Sequence, residues 1–200
     1  MRNQIRYTCF ALAIAGALVA GSAIAGDPKM DPQMAEMMKK AEAAGTPGAA
    51  HKALEPLIGE WTAQVTCYSA PDAPAGVTQG TAKASWIMNG RFVQEEFTGE
   101  FMGKPFRGIS LTGYDNMKQK YTTVWVDDMS TAMMKSEGEA KDGGRTITFE
   151  GRYDCAMTGR KDLPMKQVIR MISRDKHIFE MHDLSKGEHS KMMEITYTRK

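Results

Sequence analysis

The chain has 200 residues, of which 42% are hydrophobic, and its 26 basic and 24 acidic residues give a formal net charge of +2. This length suits a single domain with a sizeable core. Both excess positive charges lie within the first six residues, at Arg2 and Arg6, so the remainder is balanced. A balanced chain lacks the basic surface that nucleic-acid binding requires, and we expect no nucleic-acid partner.

The N-terminus shows the three regions of a secretory signal peptide. Arg2 and Arg6 supply the positive region, residues 10–20 the apolar region, and residues 23–25 (Ala-Ile-Ala) a cleavage site. We therefore expect cleavage near Ala25 and a periplasmic or secreted protein. The apolar run is shorter than the roughly 20 residues of a membrane-spanning helix, so we expect no membrane span after cleavage.

Residues 26–50 form a segment distinct from the domain predicted for residues 51–200. Good helix formers at residues 34–44 predict a short amphipathic helix, which the glycines and proline after it end. Methionines share one face of this helix, and thioethers are soft ligands that select Cu(I). The alternative, which the pattern favours, is apolar packing by adaptable side chains. The methionines concerned are Met30, Met34, Met37 and Met38.

Residues 51–58 resemble one helical turn, and the chain that follows consists of short β segments with tight turns between them. The predicted strands are 61–68, 78–87, 91–99, 104–114, 121–127, 131–138, 146–153, 165–173, 177–184 and 191–199. No segment provides the long helix that a parallel crossover needs. We predict an all-β fold, an antiparallel up-and-down barrel of about ten strands, closed because closure removes exposed edges.

Two cysteines, Cys67 and Cys155, follow the predicted signal peptide. An exported compartment permits disulfides, and one bridge between them is the simplest arrangement. The sequence leaves open whether they are bridged or remain separate thiols, since it does not show whether the two sulfur atoms meet.

Six short motifs run in order over about three-quarters of the chain and resemble the domain-of-unknown-function 1579 family. They are His51-x-x-Leu54, Gly59-Glu60-Trp61, Gly90-Arg91-Phe92, Gly113-Tyr114-Asp115, Trp125-Val126-Asp127 and residues 193–199 (MEITYTR). The resemblance implies a lipocalin-like, calycin-type barrel. It implies no activity, because the family has none assigned.

The Gly59-Glu60-Trp61 motif also resembles the opening of the first strand in lipocalin-like barrels. In those proteins a basic residue near the C-terminus lies across the tryptophan and closes one end of the barrel. The resemblance implies that Arg199 closes the barrel against Trp61, next to Gly59. A guanidinium on an indole face contributes roughly 0.5–2 kcal/mol.

The known catalytic templates are missing from the sequence, and we predict no catalytic residue. There is no zinc-binding His-Glu-x-x-His, no phosphate-binding loop and no Gly-x-Ser-x-Gly motif. An acid–base pair of Glu180 or Asp127 with His182 is the weakest of the hypotheses. We predict no cofactor, with a haem or copper ligand among the scattered histidines and methionines as a minor alternative.

A barrel of this size either fills with side chains or holds one small ligand, and the sequence leaves both open. A hollow barrel would bind a small apolar or amphipathic molecule at the end opposite Trp61; a filled one would be a structural or interaction module. The sequence gives no oligomeric state. The candidate ligand-binding residues are Trp86, Arg91, Phe92, Glu95, Arg107, Tyr114, Trp125, Arg170 and His182.

Overall fold

The computed structural model describes residues 31–68 and 74–200, apart from the side chains of residues 188 and 189. The predicted signal peptide, its cleavage site near Ala25 and Met30 lie outside the described residues. Within the described ranges, no helix is long and apolar enough to cross a membrane.

Ten antiparallel strands close into a barrel in which each strand pairs with the next along the chain. The first strand pairs with both the second and the last, so the sheet has no free edge. This confirms the predicted closed up-and-down barrel. Lipocalin barrels have eight strands, and the lipocalin-like label is not confirmed. The strands are β1 Gly59–Cys67, β2 Gly76–Ile87, β3 Phe92–Phe101, β4 Lys104–Asp115, β5 Lys120–Asp127, β6 Met134–Lys141, β7 Thr146–Cys155, β8 Arg160–Ser173, β9 Lys176–Asp183 and β10 Lys191–Arg199.

The predicted strand boundaries differ most for β6 and β8. β6 lies three residues later than expected at both ends. β8 begins at Arg160, five residues before the predicted start, even though Pro164 lies within it. Proline lacks an amide hydrogen and argues against an interior strand position. Here Pro164 pairs with Arg152 close to a register shift between β7 and β8, where the ladder is already irregular.

Helical segments precede the barrel: α1 (Pro32–Gly45), α2 (Ala49–Lys52) and a 3₁₀ turn (Glu55–Leu57). The predicted helix at residues 34–44 thus exists, extended at both ends. Asp31 caps α1, because its Oδ1 accepts a hydrogen bond from the amide of Gln33 at 2.7 Å. No residue of α1 is buried.

The C-terminal end of α1 is attached to the turn between β4 and β5. Asn116 Nδ2 donates to the carbonyl oxygens of Ala44 at 3.0 Å and Thr46 at 2.8 Å. These bonds satisfy carbonyl groups that a helix end leaves without partners. They fix α1 to the same end of the barrel at which β1 begins and β10 ends.

The segment after α1 forms the floor of the barrel. Leu54 and Leu57 are buried there, which stabilises the fold by roughly 1.5–3 kcal/mol for each side chain. Tyr121 Oη donates to the carbonyl of Ala50 at 3.0 Å and ties the segment to β5. The two leucines pack against Ala84, Val93, Tyr121, Ile147 and Phe149.

Trp61 and Arg199 close the floor where β1 meets β10. They are register partners on these strands, and the guanidinium carbon lies 4.1 Å from the Trp61 ring centroid. Arg199 Nη1 also donates to the carbonyl of Ile58 at 2.8 Å, and Trp61 Nε1 to that of Leu57 at 2.9 Å. This is the arrangement that the sequence resemblance implies. It excludes water from one face of a fully buried indole.

Gly59 is the backbone position that this closure demands. Its φ of +138° is a conformation that side chains rarely adopt, and a Cβ here would collide with Arg199 Nη1. The Gly-x-Trp motif therefore has a steric cause. Only glycine at this position allows the backbone to begin β1 at this angle beneath the Arg199 guanidinium.

Cys67 and Cys155 are free thiols, so the disulfide that the sequence left open is not formed. Cys67 ends β1 and Cys155 ends β7, and the strands β10, β9 and β8 lie between them. Neighbouring strands are about 4.8 Å apart, whereas bridged cysteines need Cα atoms within about 7 Å. Their positions on well-separated strands of the barrel keep the two sulfur atoms apart.

We predict that Gly59→Ala destabilises the protein by on the order of 1–3 kcal/mol, because it adds backbone strain and displaces Arg199. Urea denaturation measures this directly. Gly76→Ala is the matched control, since a Cβ on Gly76 meets no atom of the described residues within 4 Å. Equal stability of the two variants would contradict the role given to Gly59.

Candidate functional site

The barrel encloses a cavity of about 960 Å³ that opens at the end opposite the Trp61–Arg199 closure. Its floor includes Leu57 and Phe149, and inward-facing residues from every strand form its wall. This volume lies at the upper end of the range for small-molecule pockets. The barrel is therefore hollow, with one closed and one open end.

One side of the cavity wall is aromatic, where rings from β3, β4 and β5 meet. Phe106 stacks on Trp125 with ring centroids 6.2 Å apart and meets Phe97 edge-on at 6.0 Å. Glycines make room for these rings: a Cβ on Gly108 would collide with Trp125, and one on Gly80 with Phe97. The small residues are thus part of how the sequence builds an aromatic wall.

Glu95 is a carboxyl group deep within this wall. It extends from the same face of β3 as Phe97, and its Oε1 accepts a hydrogen bond from Tyr197 Oη at 3.3 Å. The accessible surface of Glu95 faces the cavity, not bulk solvent. Burial raises its pKa to about 7, against which the hydrogen bond from Tyr197 acts.

His177 lies beside Tyr197 at the base of the cavity. Its ring stacks on Tyr197 at 4.3 Å and meets Trp61 edge-on at 4.5 Å. Burial, with the nearby charge of Arg199, lowers the pKa of His177 to about 4, so the imidazole is neutral at pH 7. Aromatic rings in contact thus lead from the closure at Arg199 up to the buried carboxyl.

Three buried polar atoms have no hydrogen-bond partner among the described residues: His177 Nδ1, Gln167 Oε1 and Ser136 Oγ. His177 and Gln167 line the cavity. The Gln167 amide nitrogen lies 3.7 Å from Met134 Sδ, which is a weak acceptor. A buried polar atom left unpaired costs about 1–3 kcal/mol, which a bound polar group would recover.

Four methionines in the loops around the open end line the mouth of the cavity. All four are more than half exposed, and we call them the rim methionines. The flexible thioether side chain adapts to differently shaped apolar partners. The rim methionines are Met102, Met129, Met133 and Met157.

The family model described as "Protein of unknown function (DUF1579)" matches residues 46–199. The chain belongs to this family. Comparison with curated proteins found no match.

Two solved structures resemble this DUF1579 protein. A crystal structure of Rv2717c from M. tuberculosis has a TM-score of 0.57 at 14% identity and covers 78% of this chain and 99% of its own. A redesigned β barrel, b11L5F_LGL, has a TM-score of 0.39 at 13% identity and covers 74% and 95%. The first of these likenesses supports the barrel fold alone.

Of the predicted ligand-binding residues in this DUF1579 protein, Glu95 and Trp125 face the cavity. Trp86 and Tyr114 instead help to hold the floor. Trp86 Nε1 donates to Glu55 Oε2 at 2.6 Å, and the Tyr114 ring lies 5.0 Å from that of Tyr121. Trp86 and Tyr114 alternate along their strands in phase with the cavity residues. They lie so close to the closed end, however, that they pack into the floor and do not line the cavity.

The remaining candidates do not reach the cavity. Arg91 lies in the β2–β3 turn and donates to the carbonyl of Met88 at 3.1 Å. Phe92 is 40% exposed. Arg107 and Arg170 extend from the outer face, because Phe106 and Ile169, the residues before them, point inward. These four predicted ligand-binding residues therefore lie outside the cavity lining, which corrects the prediction for them.

His182 also lies on the outer face, in an ion network centred on Glu180. Glu180 contacts Arg170, lies 3.4 Å from His182 Nε2 and 3.5 Å from Lys191 Nζ. Burial opposes ionisation of Glu180, but hydrogen bonds from Arg170 and His182 outweigh it and lower its pKa to about 2. The Glu180–His182 pair considered for acid–base chemistry thus crosslinks β8, β9 and β10 on the outside.

The methionines suggested as copper ligands are exposed on α1: Met34, Met37 and Met38 are each more than half accessible. In the described part of the chain, no group of three or more His, Cys, Asp or Glu side chains is placed to hold a metal ion. The copper and haem alternatives remain predictions.

Sequence reasoning missed the roles of His177, Tyr197 and Gln167. A signal was present: His177 alternates with Phe179 and Met181, an inward-facing apolar series that starts with a polar residue. Tyr197 shares a face with Ile195. Polar residues in phase with an apolar face are the signal for a buried hydrogen-bonding group.

We predict that Glu95→Gln gains stability relative to the wild type as the pH rises. Between its ordinary pKa of 4.5 and about 7, Glu95 holds a proton in the folded chain that the unfolded chain has lost. Its contribution to the free energy of unfolding therefore falls with rising pH in this window, by about 2–3 kcal/mol from about pH 5 to about pH 8.

Urea denaturation of both proteins at several pH values tests this. Glu96→Gln is the control, since Glu96 is the exposed neighbour on the outer face. A stability difference between Glu95→Gln and the wild type that does not change with pH would show that Glu95 titrates normally.

Proposed function

We propose that this DUF1579 protein binds a small amphipathic molecule inside its barrel. The observation that carries the proposal is the open cavity with its aromatic wall, in which His177 and Gln167 have buried polar atoms without partners among the described residues. A protein interior is normally close-packed, and its buried polar atoms are normally paired. Departure from both rules at one place is typical of a binding site.

The aromatic wall suits the apolar part of such a ligand. Rings such as Phe97, Phe106 and Trp125 offer contact surface, and each Å² of apolar surface removed from water contributes about 25 cal/mol. The rim methionines supply an adaptable apolar approach to the cavity. An elongated or mildly flexible molecule fits this arrangement, since the cavity runs from the rim to the floor.

The polar part of the ligand would sit near the base of the cavity. The Glu95 carboxyl with Tyr197 offers one hydrogen-bonding group, and the free ring nitrogen of His177 offers another. Because Glu95, Tyr197 and His177 converge at the base of the cavity, these few groups would fix the orientation of the ligand.

We predict that Ser110→Trp weakens binding of a neutral fluorescent probe, N-phenyl-1-naphthylamine, by about tenfold or more. Ser110 faces the middle of the cavity, where an indole would take up space that the probe needs. Fluorescence titration measures the affinity. The melting temperature should change little, because the indole enters the cavity and not the packed floor.

Leu111→Trp is the matched control for this experiment. Leu111 is the next residue on the same strand and faces outward, 40% exposed. The Leu111→Trp variant should bind the probe with the same affinity as the wild type. Absence of saturable binding to the wild type, or equal loss in both variants, would contradict a ligand site in the cavity.

We also propose that the protein acts outside the cytoplasm, on the strength of the N-terminal signal pattern alone. We predict that intact-mass measurement on the periplasmic or secreted fraction of the native host gives a chain that begins near Gly26. Ala25→Phe should leave the precursor uncleaved, because the cleavage site takes small residues. A full-length wild-type chain confined to the cytoplasm would refute export.

A further inference from the structure

We propose that the molecule bound in the cavity is an apolar organic cation, an amine with a hydrocarbon or aromatic body. This inference rests on the proposed function and adds the charge of the ligand. It is carried by the distribution of charged and aromatic side chains around the cavity.

Acidic groups dominate the charged residues of the cavity lining. The single guanidinium among the described lining residues is that of Arg152, which is paired with Asp162 and hydrogen-bonded to its carbonyl. The imidazole of His177 is uncharged at neutral pH. Among the lining carboxylates, Glu95 and Asp127 extend from inward-facing strand positions, whereas Glu100, Asp154 and Asp162 are exposed at the rim, Asp162 as the partner of Arg152.

The carboxylates lie at different depths along the path into the cavity. Asp127 ends β5 at the mouth, and Glu100 and Asp154 lie next to the last residues of β3 and β7. Glu95 lies deeper, near the middle of the wall. A cleft lined by one sign of charge attracts ions of the opposite sign, so a cation would be drawn from the rim towards Glu95.

The aromatic wall adds a second preference for a cation. The faces of aromatic rings carry partial negative charge, and an ammonium group over a ring is attracted to it. Phe97 extends from the same face of β3 as Glu95, and Tyr197 donates to that carboxyl. An amine at this point would meet a carboxylate and aromatic faces together.

An anionic ligand such as a fatty acid has no corresponding partner. Its carboxylate would approach Glu95 across a wall on which the described residues present no unpaired cation. A neutral alcohol would hydrogen-bond Glu95 or Tyr197 but gain nothing from the charge. The charges of the cavity therefore predict that affinity decreases from the amine to the alcohol to the carboxylate.

The test compares three ligands that share one decyl chain and differ in their head groups: decylammonium, decanol and decanoate. Each competes with N-phenyl-1-naphthylamine at about pH 8, where Glu95 is largely ionised, at concentrations below micelle formation. We expect decylammonium to bind about tenfold more tightly than decanol, and decanoate to bind least.

Glu95→Gln should bring the affinity for decylammonium to within about twofold of that for decanol, because it removes the deep negative charge and keeps the shape. Glu96→Gln, on the outer face, should leave the amine preference unchanged. If Glu95→Gln fails to fold, the salt dependence of binding to the wild type tests the role of charge instead. Added NaCl should weaken the binding of decylammonium and leave the binding of decanol unchanged.

Equal affinities for the three ligands, or tighter binding of decanoate, would overturn the inference and leave the proposed function standing. A preference for the amine that survives Glu95→Gln would also overturn the role of Glu95. If neither the probe nor any decyl ligand binds the wild type, the proposed function fails, and the inference fails with it.

Discussion

The pairing of β1 with β10 is the constraint on which the rest of the structure depends. It joins the first strand to the last and leaves the sheet without an edge. Trp61 and Arg199 lock this seam at the floor, since each is the register partner of the other. Ten strands closed in this way are wide enough that side chains from opposite walls leave space between them. The cavity is thus a consequence of closure, strand number and small inward residues together.

Local sequence features account for most of the fold and for little of the site. Turn residues and alternation located nearly all strands, because these are properties of neighbouring residues. Which face of a strand points inward depends on contacts across the barrel. Val168, Ile169 and Arg170 illustrate this: two adjacent apolar residues hide the phase of β8, and Arg170, a predicted ligand-binding residue, lies on the outer face. Glu95, a predicted ligand-binding residue, does face the cavity, where it shares a face of β3 with Val93 and Phe97.

The closed end of the barrel is packed for stability, whereas the cavity holds groups whose burial costs stability. At the floor, leucines, aromatic rings and Arg199 are packed and paired, as in an ordinary core. In the cavity, Glu95, Gln167 and His177 are held in places that cost stability, through burial or missing partners. Proteins usually tolerate such costs where a ligand repays them. The floor supplies the stability that allows the cavity to remain open.

The attachment of α1 and the end of β10 at the closed end of the barrel bear on how the protein can be handled. α1 is fixed to the closed end through Asn116, and β10 ends there at Arg199. A surface linker joined after Lys200 would therefore leave from the floor, with the rim methionines facing solution. Trp125 in the wall would then report on what enters the mouth, as an intrinsic fluorophore. The topology makes this barrel a natural scaffold for an immobilised optical sensor.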